Sequence, residues 1–272
     1  MLKIIFFGDI TGEPGRKAIK QNLPALIKSE QPDLVLANVE NLAHGKGVTV
    51  KTLEELINAG VGGFTGGNHV FSKREFSDAA LIKYADRVAR PANIPPTYAG
   101  SSAVKLKTAK GVVLLGNFLG QVFMEKQFHE PIGSPFAAVE DWLAQNQSPE
   151  VVATLIDFHA EATSEKVAMG YFLSGKVSAL VGTHTHIPTA DAKILPEGTA
   201  YITDVGMCGA AGSILGVKKE LSLERFLTQA HVAFDIPEDA SRAELSYVII
   251  MVDELTGKST EIKAIHEIVK LK

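Results

Sequence analysis

The sequence predicts an α/β protein in which two β-sheets pack together and helices lie on the outside. Three observations lead to this prediction. The first 65 residues alternate compact apolar runs with helical patterns, which is typical of parallel strands joined by helices. The last third consists mostly of strand patterns, which favours antiparallel pairs. Hydrophobic residues make up 46% of the 272 residues, so the chain has ample material for a core.

The N-terminal elements follow one another in strand–helix order. Residues 2–7 form an apolar run typical of a buried parallel strand. The spacing of apolar residues predicts a helix over 16–28, with Glu13 and Pro14 suited to its start. The same pattern continues with a strand over 33–39, a helix over 49–59 and a strand over 61–65.

The rest of the chain changes gradually from mixed to strand-rich. The middle predicts strands over 101–107, 111–118, 151–156 and 177–181, helices over 134–145 and 164–174, and a loop-rich stretch over 120–135. Gly175 stands where a helix C-terminal cap is expected. The last part predicts strands over 199–203, 231–235, 244–252 and 260–265 and one helix over 220–229. Because no repeat or linker interrupts the chain, we expect a single domain over residues 1–272.

Composition excludes several classes of protein. With 27 Lys and Arg against 31 Asp and Glu, the net charge of −4 argues against a surface that coats nucleic acid. No stretch approaches the roughly 20 apolar residues of a membrane helix. Gly8 and Asp9 come too early for a signal-peptide core, so we expect a soluble, cytoplasmic protein. A single cysteine excludes an internal disulfide and any cysteine-based metal site, whereas there are eight histidines.

A carboxylate, carboxamide or imidazole comes directly after each of five predicted strands. The five segments are Gly8-Asp9, Asn38-Val39-Glu40-Asn41, Gly66-Gly67-Asn68-His69, Asp157-Phe158-His159-Ala160-Glu161 and Gly182-Thr183-His184-Thr185-His186. Ligands of open α/β sheets bind at the carboxyl ends of the strands. If these strands are parallel neighbours, their polar side chains converge on one rim.

The residue types at this rim predict a metal site. Oxygen and imidazole donors suit iron, manganese, zinc or nickel. His184 and His186 are two residues apart and point the same way in an extended segment. The candidate ligands outnumber the positions of one tetrahedral ion, so we expect two ions that share a carboxylate: Asp9, Glu40, Asn41, Asn68, His159, His184 and His186. Glu40 is central in chain order and is the predicted bridge.

A site for two adjacent cations predicts an enzyme that hydrolyses phosphate esters. Such a pair clamps an in-line displacement and lowers the pKa of a bridging water, so that a metal-bridging hydroxide attacks the phosphorus. His69, next to a predicted ligand, is the candidate proton donor to the leaving oxygen. His44 lies just past the Glu40 segment and is a candidate substrate-binding residue, with a plain loop histidine as the alternative.

At these residues the sequence resembles the calcineurin-like metallophosphoesterase superfamily. The segments FFGDITGEPGR, DFHAEATSEK, GTHTH and Thr203-Asp204-Val205-Gly206-Met207 resemble its bacterial YmdB-type branch, and the resemblance runs nearly end to end. It implies a four-layer α/β/β/α sandwich of two mixed sheets. It also implies phosphodiester hydrolysis, with 2′,3′-cyclic nucleotides as the associated substrates.

The resemblance further implies a dinuclear centre. Asp9, Asn41 and His186 would hold one metal, and Asn68, His159 and His184 the other. Glu40 would bridge the two ions and His69 would donate the proton. Iron is the implied metal and manganese the alternative, while the donor set also accepts zinc or magnesium. We expect a small phosphodiester or nucleotide as substrate and a homo-oligomeric protein.

Three positions depart from the patterns of these families. Thr11 stands where the wider superfamily usually has a histidine. The YmdB-type branch also lacks this histidine. Val39 replaces a glycine beside the predicted bridge, and Ser72 stands where the branch typically has an aspartate. Val39 and Ser72 keep open the alternative of a metal-binding regulatory protein with weak or no catalysis. A phosphomonoesterase or nucleotidase on the same centre is the other alternative.

Overall fold

Two mixed β-sheets pack face to face in the computed structural model, which describes residues 1–124 and 131–272. The strands of the first sheet are β1 (Leu2–Phe7), β2 (Asp9–Ile10), β3 (Leu34–Asn38), β4 (Gly63–Thr65), β5 (Val88–Ala89), β12 (Met207–Ala210), β13 (Arg242–Val252) and β14 (Ser259–Lys270). Those of the second sheet are β6 (Ala103–Thr108), β7 (Gly111–Leu119), β8 (Val151–His159), β9 (Ala179–Thr183), β10 (Lys193–Ile194) and β11 (Ala200–Ile202).

Each sheet contains a set of four neighbouring parallel strands. In the first sheet β1, β3, β4 and β5 run parallel, and the long strand β13 pairs antiparallel with β1, β12 and β14. In the second sheet β7, β8, β9 and β11 run parallel, with β6 and β10 antiparallel at the two edges. The carboxyl ends of the two parallel sets meet around the predicted ligands.

The helices lie on the outer faces of the sheets. In the described residues these are α1 (Gly12–Glu30), α2 (Val50–Ala59), α3 (Arg74–Lys83), α4 (Pro135–Asn146), α5 (Thr163–Leu173) and α6 (Lys219–Thr228). Helix α2 has a capping contact at each end. The side chain of Thr49 accepts a hydrogen bond from the Thr52 backbone N–H at the start of the helix, and Gly60 adopts a left-handed conformation at the end of the helix.

Three hydrophobic cores separate the four layers. Strand β1 supplies two of them, since Leu2, Ile4 and Phe6 pack between the sheets while Ile5 and Phe7 pack towards α1. A strand buried on both faces needs apolar residues at every position, which explains the unbroken apolar run. The third core lies between the second sheet and its helices and includes Trp142 of α4. The predicted α/β/β/α sandwich is therefore confirmed.

Most predicted elements are confirmed to within a few residues, but one strand is wrong. Residues 231–235 form an irregular segment between α6 and β13. Their apolar side chains face a cavity and solvent, so the pattern that predicts a strand here has a different cause. The sequence reading also missed α3, whose buried stripe is narrow, and the short strands β2, β5, β10 and β12. Residues 125–130 of the predicted loop lie outside the described residues.

No helix in the described ranges is long and apolar enough to span a bilayer.

Candidate metal centre

Both sheets contribute side chains to one cluster at their carboxyl ends. Asp9 lies in β2, Glu40 and Asn41 follow β3, and Asn68 follows β4, all in the first sheet. His159 ends β8, and His184 and His186 follow β9 in the second sheet. We call these seven residues the strand-end cluster. The sequence predicts one rim, and the structure builds this rim from the strand ends of both sheets.

Two groups of donor atoms in the cluster share Glu40. Glu40, His159 and His184 form one group, and Asp9, Glu40 and His186 form the other. Within each group the ligand atoms lie within 4.8 Å of one another. This is the arrangement expected of two neighbouring cation sites with one common carboxylate.

The two asparagines complete these groups. Asn68 Oδ1 lies 2.9 Å from His159 Nε2, in the group that contains His184. Asn41 Nδ2 lies 2.9 Å from Glu40 Oε1 and 3.2 Å from His186 Nε2, in the other group. Each asparagine therefore lies with the residues with which the resemblance places it.

Two buried oxygens at the centre are not satisfied by the protein. Asp9 Oδ1 and Asn41 Oδ1 have no hydrogen-bond partner in the part of the chain that the structure describes. A buried polar atom without a partner costs on the order of 1–3 kcal/mol, so a native site needs something to occupy it. A cation is a suitable partner for both oxygens, and the oxygen and imidazole donor set fits iron or manganese.

A buried relay fixes the orientation of His159. The Thr183 hydroxyl donates to Asp157 Oδ1 at 2.6 Å and therefore accepts from His159 Nδ1 at 2.8 Å. With the proton on Nδ1, the Nε2 lone pair points towards Glu40 and Asn68. Asp157 therefore acts on the imidazole of His159 through the Thr183 hydroxyl that lies between the two groups.

A buried ion pair supports the loop that carries the last two ligands. Lys166 Nζ lies 2.7 Å from Asp204 Oδ2 and donates to the Thr183 carbonyl at 2.7 Å. The same carboxylate accepts from the backbone N–H and the hydroxyl of Thr185. Both Lys166 and Asp204 were missed as site residues, although both lie in the segments that carry the family resemblance.

This support is needed because the loop backbone is strained. His184 and His186 have φ values of 98° and 66°, in the left-handed region that non-glycine residues seldom adopt. Hydrogen bonds hold both ligands there: Asp9 Oδ2 accepts from the His184 N–H at 3.1 Å, and the Leu215 carbonyl lies 3.0 Å from His186 Nδ1. The second contact leaves His186 Nε2 directed at the cluster.

Gly67 leaves room for the centre. A Cβ atom on Gly67 would lie 2.7 Å from His159 Nε2 and closer still to Glu40 Oε2. Real Cβ contacts of this length essentially do not occur. The glycine before Asn68 is therefore required by the close approach of a carboxylate and an imidazole.

Burial and ion pairing shift the pKa values of the cluster in opposite directions. Burial raises the pKa of Asp9 to about 6, against the pull of His186 and His159. Burial also opposes ionisation of Glu40, but His159 outweighs it and lowers the pKa of this carboxyl. Burial alone would lower the pKa of His159, yet Glu40 and the nearby aspartates raise it to about 9. Burial and the neighbouring His159 lower the pKa of His184 to about 3. The negative centre of the cluster thus attracts positive charge.

His69 lies beside the cluster and outside both donor groups. Its backbone N–H donates to Glu40 Oε2 at 2.9 Å, while its half-buried ring lines the cavity. Burial lowers the pKa of the ring, with Glu40 opposing this shift. Ser72 Oγ lies 3.4 Å from His69 Nδ1, so the position where the branch has an aspartate contacts the candidate proton donor. Val39 is fully buried in the core and does not enter the cavity.

The cluster opens into a cavity of about 700 Å³. His44 lies on its wall, is 72% exposed, and its Nδ1 pairs with Glu238 at 2.7 Å. Lys46 and Lys73 line the same wall. Glu161, which is not among the predicted site residues, contacts His184 Nε2 at 3.1 Å and lines the cavity. Another groove, of about 740 Å³, lies between α1 and β14, and none of the predicted ligands lines it.

Other polar candidates have structural contacts. Arg16 is buried and donates to the Leu42 carbonyl at 2.6 Å, so it ties α1 to the loop after β3. Arg90 donates to the Pro91 carbonyl. Glu165 accepts a hydrogen bond from the backbone N–H of Gln121, which is a structural contact. Burial raises the pKa of the Cys208 thiol to about 12, which fits a small buried residue.

Comparison with known proteins agrees with this architecture. A family model described as YmdB-like protein matches residues 5–265. A 2′,3′-cyclic-nucleotide 2′-phosphodiesterase of Bacillus subtilis is 40% identical over 97% of this chain and 96% of its own length. The crystal structure of a novel phosphatase from Mycoplasma pneumoniae has a TM-score of 0.90 at 35% identity and covers 99% of this chain and 94% of its own. That of a hypothetical protein from Thermus thermophilus has a TM-score of 0.88 at 36% identity and covers 98% and 99%.

The chain belongs to the YmdB-like family. This confirms the resemblance given by the strand-end segments. It also confirms, at the level of the family, the expectation of a hydrolase that acts on phosphoric ester bonds.

Proposed function

We propose that this protein is a metal-dependent phosphodiesterase that hydrolyses small phosphodiesters such as 2′,3′-cyclic nucleotides. One observation carries the proposal: the Glu40 carboxylate is common to two groups of ligand atoms, each compact enough for one cation. The name of the relative from Bacillus subtilis supports the substrate class.

Seven residues would hold two cations. Asp9, Asn41 and His186 would hold one cation, Asn68, His159 and His184 would hold the other, and Glu40 would be a ligand of both. The unsatisfied oxygens of Asp9 and Asn41 support the first position. The two hydrogen bonds that join His159 to Asp157 through the Thr183 hydroxyl leave His159 Nε2 to bind a cation, and they support the second position. Iron is the proposed metal and manganese the alternative.

When bound, two such cations supply Lewis-acid charge and a water of lowered pKa. The protein's own part is to hold the substrate and to move a proton. Lys46 and Lys73 on the cavity wall favour the anionic phosphodiester, and His44 at the rim is the proposed further substrate contact. His69, held beside Glu40 through its backbone, protonates the departing ribose oxygen. A weakly acidic protein can therefore attract an anion to this one cavity.

The test combines metal analysis with a substrate panel. We expect two metal ions per chain by elemental analysis of the native protein, and hydrolysis of bis-p-nitrophenyl phosphate and of 2′,3′-cyclic AMP. Glu40→Gln should lose both the metal and the activity. Faster hydrolysis of p-nitrophenyl phosphate than of either diester would favour a phosphomonoesterase instead. A metal-replete protein without activity on any ester would favour the regulatory alternative.

Three further expectations stay predictions. They are a homo-oligomeric protein, a cytoplasmic location and a single domain over residues 1–272. Light scattering coupled to size-exclusion chromatography measures the first.

A further inference from the structure

A second group of residues lines the cavity and differs in character from the strand-end cluster. Residues 214–236, which we call the 214–236 segment, run from the loop after β12 through α6 to the irregular stretch before β13. Leu215, Phe226, Val232 and Phe234 of this segment line the cavity. A cavity lined by both charged and apolar groups fits a ligand that has a charged part and an apolar part, and about 700 Å³ is an ordinary size for a small-ligand site.

The 214–236 segment is fixed directly to the predicted centre. Its Leu215 carbonyl lies 3.0 Å from Nδ1 of the ligand His186. At its other end the buried side chain of Ile236 packs so closely on Gly45 and Gly12 that a Cβ at Gly45 would collide with it. These glycines flank the loops that carry the ligands of the first sheet. The 214–236 segment is therefore held at a set position relative to the strand-end cluster.

Large apolar side chains of this segment are exposed. Phe226 is 77% exposed and Phe234 is 48% exposed. Adjacent exposed apolar residues at a cavity mark a binding surface. The Arg225 guanidinium carbon lies 4.9 Å from the centre of the Phe234 ring and so restricts its orientation. An aromatic ring held in this way offers its other face for stacking.

From this arrangement we infer that the 214–236 segment is the nucleobase subsite, with Phe234 as the stacking residue and Phe226 as a second apolar contact. The inference rests on the proposed phosphodiesterase function. A cyclic nucleotide has an anionic phosphodiester and a planar aromatic base, and the cavity is lined by groups suited to each of them. Phe234 would bind the base equally in the ground state and the transition state. Its ring would thereby raise the affinity for nucleotides and select them among small cyclic phosphodiesters.

The experiment compares two substrates that share the reacting group. Both 2′,3′-cyclic AMP and glycerol 1,2-cyclic phosphate contain a five-membered cyclic phosphodiester, and only the first has a base. We expect the wild-type protein to prefer the nucleotide in kcat/KM. Phe234→Ala should lower kcat/KM for the nucleotide about tenfold, mainly through KM, and leave the glycerol ester unchanged.

Two control variants separate stacking from folding. Phe234→Tyr keeps the ring and should retain the preference for the nucleotide. Phe76→Ala removes an aromatic ring of α3 that is 55% exposed and does not line this cavity, and it should change neither substrate. Phe226→Ala should lower kcat/KM for the nucleotide less than Phe234→Ala does.

The outcomes distinguish this inference from the proposed function. Equal losses on both substrates in Phe234→Ala, or no loss on either, would overturn the nucleobase subsite while the hydrolase remains. Equal losses accompanied by a smaller particle in size-exclusion chromatography would assign the exposed phenylalanines to contact with a second copy, which also overturns the inference. Failure of the wild-type, metal-loaded protein to hydrolyse either ester would instead refute the phosphodiesterase.

Discussion

The strand-end cluster and the 214–236 segment line the same cavity and are held by different means. The cluster residues are almost all buried and lie at the ends of paired strands, where hydrogen bonds and a buried ion pair fix each side chain. The 214–236 segment has one short helix, exposed apolar side chains and a few anchoring contacts. Rigid elements suit groups that must align with a reacting atom, whereas a loop can vary what it recognises. The predictions below test this difference from its largest expected effect to its smallest.

The largest effect should come from the buried ion pair behind the cluster. Lys166 and Asp204 are 1% and 0% exposed, so Lys166→Met leaves a buried carboxylate without its cation. We expect the free energy of unfolding to fall by about 3–5 kcal/mol, because an uncompensated buried charge is costly. Urea unfolding of the metal-free proteins measures this.

The matched control is a second pair of a lysine and a carboxylate, which lies at the surface. Lys176 and Glu140 are 44% and 56% exposed, and Lys176→Met should cost no more than about 1 kcal/mol. If the two lysine variants lose equal stability, the buried pair does not support the cluster as we describe.

The next effect concerns space at the centre. Gly67→Ala places a methyl group 2.7 Å from His159 Nε2 and against the Glu40 carboxylate, so these two groups must move apart. We expect activity on bis-p-nitrophenyl phosphate to fall at least about 100-fold, since a displacement near 1 Å can have an effect of this size. Metal content should fall as well.

Gly66→Ala is the neighbouring control. The three atoms nearest to a Cβ there are Val70 side-chain carbons at 3.3–3.4 Å, and none of them belongs to a predicted ligand, so the variant should keep most of its metal and activity. A Gly67→Ala protein with normal metal content would contradict the proposed position of the centre.

A smaller effect is expected from the relay behind His159. Thr183→Val keeps the side-chain shape but removes the hydroxyl that joins Asp157 to His159. Loss of such an outer partner typically costs 10–100-fold in metal affinity or activity, and we expect a loss in this range. Thr183→Ser restores the hydroxyl and should recover most of it. Competition with a chelating dye measures the affinity, and equal losses in both variants would exclude the relay.

The sequence predicts the strand-end cluster well for a physical reason. A strand buried on both faces is an unbroken apolar run, so its end is visible in the sequence as the first polar residue, as at Asp9 after Phe7. Parallel packing then brings these ends together. The sequence could not show that the ends belong to two sheets, because pairing between distant strands leaves no local pattern.

The supporting residues are harder to predict. Lys166 lies on a helix as an ordinary charged residue, and only the fold reveals that it is buried against Asp204. The stretch 231–235 gives the opposite error: its alternating apolar residues resemble a strand, although Val232 and Phe234 face a cavity. An alternation of apolar and polar residues shows only that a segment has two unlike sides. It does not show that the segment pairs with a β-sheet.

The smallest effect on stability should come from the 214–236 segment itself. Phe226 is 77% exposed, so Phe226→Ala removes little buried apolar surface, and the free energy of unfolding should change by no more than about 0.5 kcal/mol. Phe6, which is fully buried between the two sheets, provides the contrast: Phe6→Ala should cost about 3–5 kcal/mol. Denaturant unfolding of both variants measures the difference. A large loss in Phe226→Ala would show that its ring is covered in solution, and the contrast between a rigid centre and an exposed recognition wall would then be wrong.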